Sequence, residues 1–582
     1  MQEEVLRSRR ALAMRIYEAL VKGLESVGVG AAFGGAGENA AQLMLALKHS
    51  KTIRPVITRH EQAAAFAACG YAMYSRRLGV CFATAGPGAF NLFSGLAVAM
   101  SDSYPILAIS GYSSLEWKGK GALNETSGVS RTPDSHAMFV ATTKKSFLLE
   151  DAAKACDVLE EAVNVAFDGR PGPVHIHVPE NLTHKGVSVA NYRDVDLQIK
   201  PVVPETARVE TVAEILIAAL AKGEKVLALI GFGAILSDAG EPLLRLLERY
   251  QIPFVTTLDG KGIIDESHPL AIGVFCDSGH KAAREAFKQA QIILAIGNSF
   301  AQHATFNFRN DLLKGKKLIH LNIDGGEVDK VYKADAAIIG DAKLAITALY
   351  DRMSAELEPQ PKRTFPRYDY RSDKIHDLVG KIHPGQLAQA LSRRLPDDAI
   401  VLADAGAHLT WLGYYLELKS HQRFRKPGGF GPMAGSVNGA LGVKCAHPDR
   451  TVIVGCGDGC YLLSGFELLT AVQYNLPVIW IIFNDNQFKL IKIYQLSTYG
   501  ESGLVEFENP DYVAYAKACG AQGFRVETVS EFESALDKAL ALNKPVLIDA
   551  HISRMELPKY SSSPEGTLAG LVERLGERVR AH

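Results

Sequence analysis

Residues 451–487 read TVIVGCGDGCYLLSGFELLTAVQYNLPVIWIIFNDNQ, and this stretch decides the fold. The apolar runs 451–455 and 478–483 are typical of buried parallel strands, and the apolar residues between them have helical spacing. The pattern predicts a strand–helix–strand unit of an α/β sheet. Asp458 and Asp485 each follow one of the two strands, at the end of the sheet where an open α/β fold leaves its crevice.

These two aspartates have the chemistry of a cation site for a bound diphosphate. Carboxylate oxygens are hard ligands that suit Mg²⁺. Gly457 and Gly459, on either side of Asp458, let backbone amides approach phosphate, and the helix that follows directs its positive end to the same place. The alternative is a plain strand–helix–strand unit with surface turns, because Asp and Gly are common at strand ends.

The pairing of Gly457-Asp458-Gly459 with an acid–amide cluster after the next strand resembles the thiamine-diphosphate motif, specifically that of the acetolactate synthase and pyruvate oxidase group. The resemblance implies that Asp458, Asp485 and Gln487 bind Mg²⁺. The residues implied to contact thiamine diphosphate in this segment are Gly457, Asp458, Gly459 and Cys460.

A second signature of the same group lies upstream. It consists of TRHEQ at 58–62, then AAAFAACGYA, then VCFATAGPG at 80–88. The resemblance implies that Glu61 is the catalytic residue, whose carboxyl group hydrogen-bonds N1′ of the aminopyrimidine so that the cofactor can act as its own base. Burial among small residues would let such a group share a proton near neutrality. The alternative is a solvated glutamate that the helix dipole favours at a helix start.

A glycine-rich segment between the two signatures supplies a third match. Met433 matches the bulky side chain that bends the cofactor, and Gly431 and Met433 match backbone contacts to the aminopyrimidine. Gly406 and His408, after the strand-like IVLAD, match the loop on the diphosphate side. A gap-filling core role for Met433 and a structural role for His408 are the alternatives.

The residues expected around the reactive carbon depart from the group. Acetolactate synthases carry a glutamine in the segment that matches GALNETS, where this chain has Leu123 and Asn124, and an insertion GVSRTPDSHAMF follows. Tyr494 stands where catabolic acetolactate synthases have Gln and pyruvate oxidases have Glu, which leaves a donor or acceptor other than pyruvate open. The candidates for substrate contacts are His60, Asn124, Lys144, Tyr494 and Gln495.

The resemblance implies thiamine-diphosphate- and Mg²⁺-dependent decarboxylation of a 2-oxo acid, with carboligation of the resulting enamine to a second carbonyl compound. The alternative is C–C bond cleavage as in 2-hydroxyacyl-CoA lyase or oxalyl-CoA decarboxylase. That activity needs a CoA channel, for which residues 554–574 are a candidate lid. An NAD oxidoreductase is disfavoured because no strand is followed by GxGxxG and a later acidic residue. Glu61, Asp458 and Asp485 argue against a catalytically silent paralogue.

Composition indicates an ordinary globular protein. The 582 residues, of which 47% are hydrophobic and 22% charged, exceed what one core holds and predict three domains. A formal net charge of -1 gives no long-range attraction to nucleic acid or to an anionic membrane. No apolar run reaches the roughly 20 residues that span a bilayer, and the amino terminus carries charges in place of a signal-peptide core. The eight cysteines include no CxxC pair, and we expect a cytoplasmic location.

The predicted fold class is α/β, with three doubly wound parallel-sheet domains. We expect a pyrimidine-binding domain at 1–190, a central nucleotide-binding-like domain at 200–352 and a pyrophosphate- and Mg²⁺-binding domain at 370–582. In the family the cofactor lies between the first domain of one subunit and the third domain of another. The resemblance therefore implies a homodimer or a dimer of dimers that takes a 2-oxo acid and a carbonyl acceptor.

The central domain of relatives binds FAD, ADP or nothing. Gly231-Phe232-Gly233-Ala234 and Asp324 are typical either of a nucleotide pocket or of close strand–helix packing. Gly297-Asn298-Ser299-Phe300 replaces the GxRF-type turn of flavin-binding relatives, so neither FAD nor ADP is favoured.

Overall fold

The computed structural model of the protein describes residues 13–183, 186–188, 194–367, 373, 375–419 and 421–558. The part of the candidate lid after residue 558 lies outside these ranges. The described chain forms three six-stranded parallel sheets flanked by helices, which confirms the predicted fold class. No helix of the described part combines the length and the hydropathy needed to cross a bilayer.

The first sheet is built from short strands whose central members are buried on both faces. The strands up to residue 190 are β1 (Ala13–Arg15), β2 (Ala31–Gly34), β3 (Arg54–Ile57), β4 (Gly79–Ala83), β5 (Ile106–Tyr112), β6 (Lys145–Leu148), β7 (Val174–Pro179) and β8 (Gly186–Ser188). Their order in the sheet is β3-β2-β4-β5-β7-β6, and β1 pairs separately with β8 in antiparallel fashion. The helices are α1 (Ile16–Ser26), α2 (Ala41–His49), α3 (Glu61–Ser75), α4 (Pro87–Asn91), α5 (Phe93–Asp102), α6 (Ser135–Thr142), α7 (Ala155–Phe167) and α8 (Glu180–Thr183).

The central sheet has the order β11-β10-β9-β12-β13-β14. Its strands are β9 (Val226–Ile230), β10 (Phe254–Thr256), β11 (Ala271–Val274), β12 (Ile292–Ile296), β13 (Lys317–Asn322) and β14 (Ala336–Ile339). Its helices are α9 (Thr206–Ala221), α10 (Phe232–Leu236), α11 (Gly240–Tyr250), α12 (Lys281–Gln289) and α13 (Ala342–Ser354). Strands β6 and β14 lie at the edges of their sheets, and each has a single fully buried residue.

The third sheet has the order β16-β15-β17-β18-β20-β19 and repeats the topology of the first sheet strand for strand. Its strands are β15 (Ile400–Ala403), β16 (Arg423–Arg425), β17 (Val452–Gly457), β18 (Val478–Asn484), β19 (Gln522–Val526) and β20 (Val546–His551). Its helices are α14 (Pro384–Arg394), α15 (Ala407–Tyr415), α16 (Gly435–Ala446), α17 (Asp458–Ser464), α18 (Leu468–Gln473), α19 (Lys489–Tyr499), α20 (Tyr512–Ala518) and α21 (Val529–Ala541).

Helices α3 and α16 join the first and third sheets into one core. They approach so closely that a Cβ atom added at Gly442 would lie 1.7 Å from the carbonyl oxygen of Ala67, and one at Gly70 would lie 2.1 Å from that of Gly439. Glycine is therefore required where the two backbones touch. We propose the domain boundaries 1–190, 200–352 and 370–582, because each six-stranded sheet lies inside one of these ranges.

Arg425 lies where the three domains meet. Its guanidinium donates to Asp102 of the first domain (3.0 Å) and to Asp259 of the central domain (2.6 Å). It also lies 3.6 Å from the centroid of the Phe232 ring. Arg425 is buried, and a carboxylate from each neighbouring domain balances its positive charge.

Candidate functional site

Asp458 and Asp485 lie at the carboxyl ends of the adjacent parallel strands β17 and β18. Gly457 is the N-cap of α17, so Asp458 is the first helical residue instead of the middle of a free turn. One Asp458 oxygen, Oδ2, accepts the backbone amides of Asp485 (3.2 Å) and Asn486 (2.7 Å). The structure therefore brings together the two aspartates, which two helices and a strand separate along the chain.

Two ionised carboxylates at this place are costly, and the buried ammonium group of Lys489, 3.5 Å from Asp485 Oδ2, offsets only part of that cost. Burial and then the charge of Asp485 raise the pKa of Asp458 to about 6, and burial raises the pKa of Asp485 above its usual value. A divalent cation would remove this cost, so the donor chemistry fits Mg²⁺. No group of three or more His, Cys, Asp or Glu in the described chain is placed to hold a metal. Further ligands would be amide, backbone, phosphate or water oxygens.

Gln487 presents its amide nitrogen to this pair. Its Nε2 donates to Asp485 Oδ2 (2.8 Å), and its Oε1 accepts from Lys492 Nζ (3.2 Å). To act as a metal ligand through its side chain, Gln487 has to turn its oxygen towards the cation. Asn509, which the sequence patterns do not single out, donates from Nδ2 to Asp458 Oδ2 (2.8 Å).

His408 lies on the side where a diphosphate is expected. Its ring packs against Gly457, where an added Cβ would lie 3.1 Å from Nδ1. Its Nε2 is buried and has no hydrogen-bond partner in the described structure. Burial lowers the pKa of His408 to about 4, so the ring is neutral near pH 7. An unsatisfied buried nitrogen beside the amino end of α17 fits a phosphate ligand.

Met433 lies above the Gly457–Gly459 segment. A Cβ at Gly459 would lie 2.5 Å from the Phe488 ring and 3.5 Å from Met433 Cε, so only glycine leaves room there. Gly431, with φ of 61°, makes the left-handed turn before Met433. The Cys460 thiol donates to the carbonyl oxygen of Ala405 (2.9 Å), and Gly406 has a positive φ of 149°.

Asp404, at the end of β15, holds the loop that carries Met433. It is fully buried, and each of its oxygens accepts two backbone amides. The donors are Ala405 (2.8 Å) and Ala434 (2.9 Å) to Oδ1, and Ser436 (2.8 Å) and Val437 (3.1 Å) to Oδ2. Ala434 has φ of 65°, which costs energy for a non-glycine residue. The role of Asp404 is visible only in three dimensions, because three of its four partners lie some thirty residues away.

Glu61 is the first residue of α3 and lies in a glycine-lined recess of the first domain. Its Oε2 accepts from Asn91 Nδ2 (2.9 Å). A Cβ at Gly35 would lie 2.7 Å from the Glu61 side chain, and one at Gly88 would lie 3.1 Å from Oε1. The side chain is thus half-buried and held by its own domain, which differs from a freely solvated helix-start glutamate. Asn91 is a further residue that the motifs do not reveal.

Two of the candidate substrate residues lie near Glu61. Asn124 has φ of 58° and packs on Gly86, where an added Cβ would lie 2.9 Å from the Asn124 Cβ. His60 is the N-cap of α3, and its Nδ1 accepts the amide of Gln62 (3.1 Å). His60 therefore has a local capping role, whereas Asn124 borders the recess that contains Glu61.

The other candidates make contacts elsewhere. Tyr494 is exposed on α19, and both ends of the Gln495 amide bond to the backbone of Gly503 (3.2 Å each). The ammonium group of Lys144 donates to the carbonyl oxygens of Asp168 (2.6 Å) and Arg170 (3.0 Å). Of this set, only Tyr494 presents its side chain openly to solvent or to a partner.

The glycines of the central domain serve close packing. A Cβ at Gly231 would lie 2.3 Å from the carbonyl oxygen of Gly297, and the amide of Gly233 donates to the same oxygen (2.9 Å). Asp324 caps a short turn by accepting the amide of Gly326 (2.9 Å). These contacts assign the glycines to close packing and Asp324 to the turn.

Comparison with known proteins matches all three domains to one family. Residues 14–131 match the model described as thiamine pyrophosphate enzyme, N-terminal TPP binding domain. Residues 213–349 match its central domain, and residues 404–550 match its C-terminal TPP binding domain.

Full-length relatives agree with these domain matches. The chain is 34% identical to the probable acetolactate synthase large subunit of Methanocaldococcus jannaschii, over 96% of this chain and 95% of the relative. It is 30% identical to the acetolactate synthase large subunit of Corynebacterium glutamicum (91% and 86%) and to the isozyme 2 large subunit of Escherichia coli strain K12 (92% and 95%). The chain belongs to the thiamine pyrophosphate enzymes, in the family of the acetolactate synthase large subunits.

Proposed function

We propose that this chain catalyses the thiamine-diphosphate- and Mg²⁺-dependent decarboxylation of a 2-oxo acid and joins the remaining acyl carbon to a second carbonyl compound. The observation that carries the proposal is the buried pair Asp458 and Asp485, which two adjacent parallel strands deliver to one point. The names of the full-length relatives support carboligation as the outcome.

Each part of the proposed site has a distinct task. Thiamine diphosphate, when bound, supplies a nucleophilic carbon that adds to the 2-oxo acid and a cationic ring that accepts the electron pair left behind when CO₂ departs. Asp458, Asp485 and Gln487 would hold Mg²⁺ against the diphosphate, and the glycines on either side of Asp458 would leave room for its oxygens. His408 would contact the same group through its buried Nε2.

The aminopyrimidine end would be held by other residues. Met433 and the backbone at Gly431 would contact the ring and keep the cofactor bent. Glu61 would hydrogen-bond the ring nitrogen N1′ and move a proton there. Asn124, which borders the Glu61 recess, and Tyr494, which is exposed on α19, remain the proposed substrate contacts.

We further propose that each site is shared between two chains. The recorded contacts of the Glu61 carboxylate lie in the first domain, and those of Asp458 lie in the third. Large side chains are exposed on the segments that follow the two aspartates in the chain, among them Phe466, Ile491 and Tyr494. Such a surface fits a second copy of this chain, in a homodimer or a dimer of dimers.

The test uses the purified chain with thiamine diphosphate and Mg²⁺. We expect saturable cofactor binding by calorimetry that chelation with EDTA abolishes. A panel of 2-oxo acids with aldehyde and 2-oxo acid acceptors, analysed by mass spectrometry, should give C–C-bonded products. Glu61→Gln should abolish exchange of the cofactor C2 proton with deuterium while cofactor affinity changes little. No cofactor binding, or undiminished exchange in Glu61→Gln, contradicts the proposal.

The same panel separates carboligation from CoA chemistry. Turnover of oxalyl-CoA or a 2-hydroxyacyl-CoA without turnover of free 2-oxo acids would overturn the carboligase proposal in favour of C–C cleavage. An absorbance band of bound flavin in the purified protein would contradict the expectation that FAD is not favoured in the central domain.

A further inference from the structure

Glu467 is a buried carboxylate of the third domain that binds the first domain. It ends the short 3-10 helix Gly465–Glu467, downstream of α17, and is 2% exposed. Its Oε1 accepts the backbone amides of Arg59 (2.9 Å) and His60 (3.0 Å). Its Oε2 accepts the hydroxyl of Thr470 (2.6 Å). Both oxygens are thus used, and two of the three donors belong to the other domain.

The two amides that Glu467 binds directly precede Glu61. Backbone amides at a helix start have no partner inside the helix, and a carboxylate is a strong acceptor for them. The Glu61 carboxylate itself accepts from Asn91 and is not bonded to Glu467. Glu467 therefore acts on the backbone from which the Glu61 side chain projects, and it does not act on the acid group.

A buried carboxylate of the first domain binds the third domain in the same way. Asp102, the last residue of α5 in the first domain, accepts the amide of Gly428 (3.0 Å) and a guanidinium hydrogen of Arg425 (3.0 Å). Gly428 lies in the loop from β16 to α16 that carries Met433. In the repeated topology this loop is the counterpart of the β3–α3 loop that carries Glu61. Each domain thus contributes one buried carboxylate that binds the backbone of the functional loop in the other domain.

We propose that Glu467 is a positioning residue for Glu61, which fixes the start of α3 by binding the Arg59 and His60 amides across the domain boundary. The proposal rests on the proposed function, because Glu61 needs a defined position only if it meets the cofactor. Hydrogen bonds to buried amides orient a peptide more strictly than apolar packing does, and a misplacement of about 1 Å can cost a hundredfold in rate.

The test compares Glu467→Leu, which has no acceptor, with Glu467→Gln, which keeps Oε1. Gln473→Ala is the matched control, because Gln473 binds only the Arg59 side chain between the same two segments (2.5 Å). In the protein without cofactor, deuterium uptake by the peptide around residues 57–62 should be about tenfold faster in Glu467→Leu. It should stay close to the wild-type rate in the other two variants.

With thiamine diphosphate and Mg²⁺ bound, Glu467→Leu should slow exchange of the C2 proton by about tenfold to a hundredfold. Its cofactor affinity should change less than about threefold, because the metal pair is untouched. Glu467→Gln should restore wild-type exchange. If Glu467→Leu does not fold, Glu467→Asp withdraws the acceptor by one methylene and should show the same effects in milder form.

Two results would overturn the positioning role. One is wild-type C2 exchange in the Leu variant, and the other is equal damage by Gln and Leu, which would assign the effect to the charge. A wild-type protein that binds no cofactor would refute the proposed function instead, so the two failures are distinguishable.

Discussion

Asp404 uses both carboxylate oxygens to bind four backbone amides around the Met433 loop. Two of these amides belong to the start of α16, and a third belongs to Ala434 with its positive φ. The carboxylate thus holds a backbone conformation that the local sequence disfavours. A single residue at the end of β15 determines where the cofactor-bending side chain lies.

We expect Asp404→Asn to destabilise the protein by about 3 kcal/mol, because the amide nitrogen leaves two buried backbone donors unpaired. Thiamine diphosphate affinity should fall at the same time. Urea unfolding and calorimetric titration measure the two effects. Ala434→Gly is the matched control, since glycine adopts φ of 65° without strain and should not lower stability. Equal stability of Asp404→Asn and wild type would refute the anchoring role.

At the scale of elements, the crossing of α3 and α16 depends on glycine at particular positions. Gly442→Ala should destabilise the protein by about 1–3 kcal/mol or more, because the added Cβ would clash with the backbone of α3, which can give way only if the whole helix shifts. Gly439→Ala on the same helix is the control, since its nearest recorded neighbour would be 3.5 Å away, an ordinary contact. Thermal unfolding of both variants checks the prediction, and a tolerated Gly442→Ala would contradict it.

Strands β5 and β7 place two neutral histidines in the core. Ser110 Oγ lies 2.9 Å from His175 Nε2 and 2.8 Å from His177 Nδ1. Burial lowers the pKa of His177 from 6.5 to about 3. A depressed histidine pKa means that the unfolded chain binds the proton first. This contribution to stability is therefore present above about pH 6.5 and is lost as the pH falls towards 3.

We expect wild-type stability to decline between pH 7.5 and pH 5, with about 2 kcal/mol of the loss due to His177. The free energy of unfolding of His177→Gln should fall by about 2 kcal/mol less over the same pH interval. Its stability at pH 7.5 should be lower than that of the wild type, because Ser110 and Ser135 lose a ring partner. Urea titrations at the two pH values provide the comparison. Parallel losses in both proteins would show that His177 does not titrate as the structure indicates.

At the scale of the whole molecule, the proposed shared site predicts complementation between two inactive variants. Glu61→Gln and Asp458→Ala, co-expressed at equal levels, should recover about a quarter of wild-type activity. Random pairing of the two variants makes half of the dimers mixed. In each mixed dimer, one of the two sites has Glu61 and Asp458 both intact and the other has neither. Each variant expressed alone should be inactive. No recovery in demonstrably mixed oligomers would place the complete site within one chain.

The local pattern of the sequence determined the α/β class, the two motif segments and the candidates Glu61, Asp458 and Asp485. These follow from short-range rules: apolar runs form buried strands, and chemistry-bearing residues follow the strand ends. Full-length relatives and three matched domains confirm the family and the fold class.

Only the tertiary structure decided which distant residues support these candidates. Asp404, Asn91, Asn509 and Glu467 act on partners from about thirty to four hundred residues away, and no spacing rule relates such positions. It also assigned the central-domain glycines to packing and turned the amide nitrogen of Gln487 towards Asp485. The physical reason is that hydrogen-bond partners and packing depend on which strand ends and helices meet in space, and that is a property of the assembled sheets.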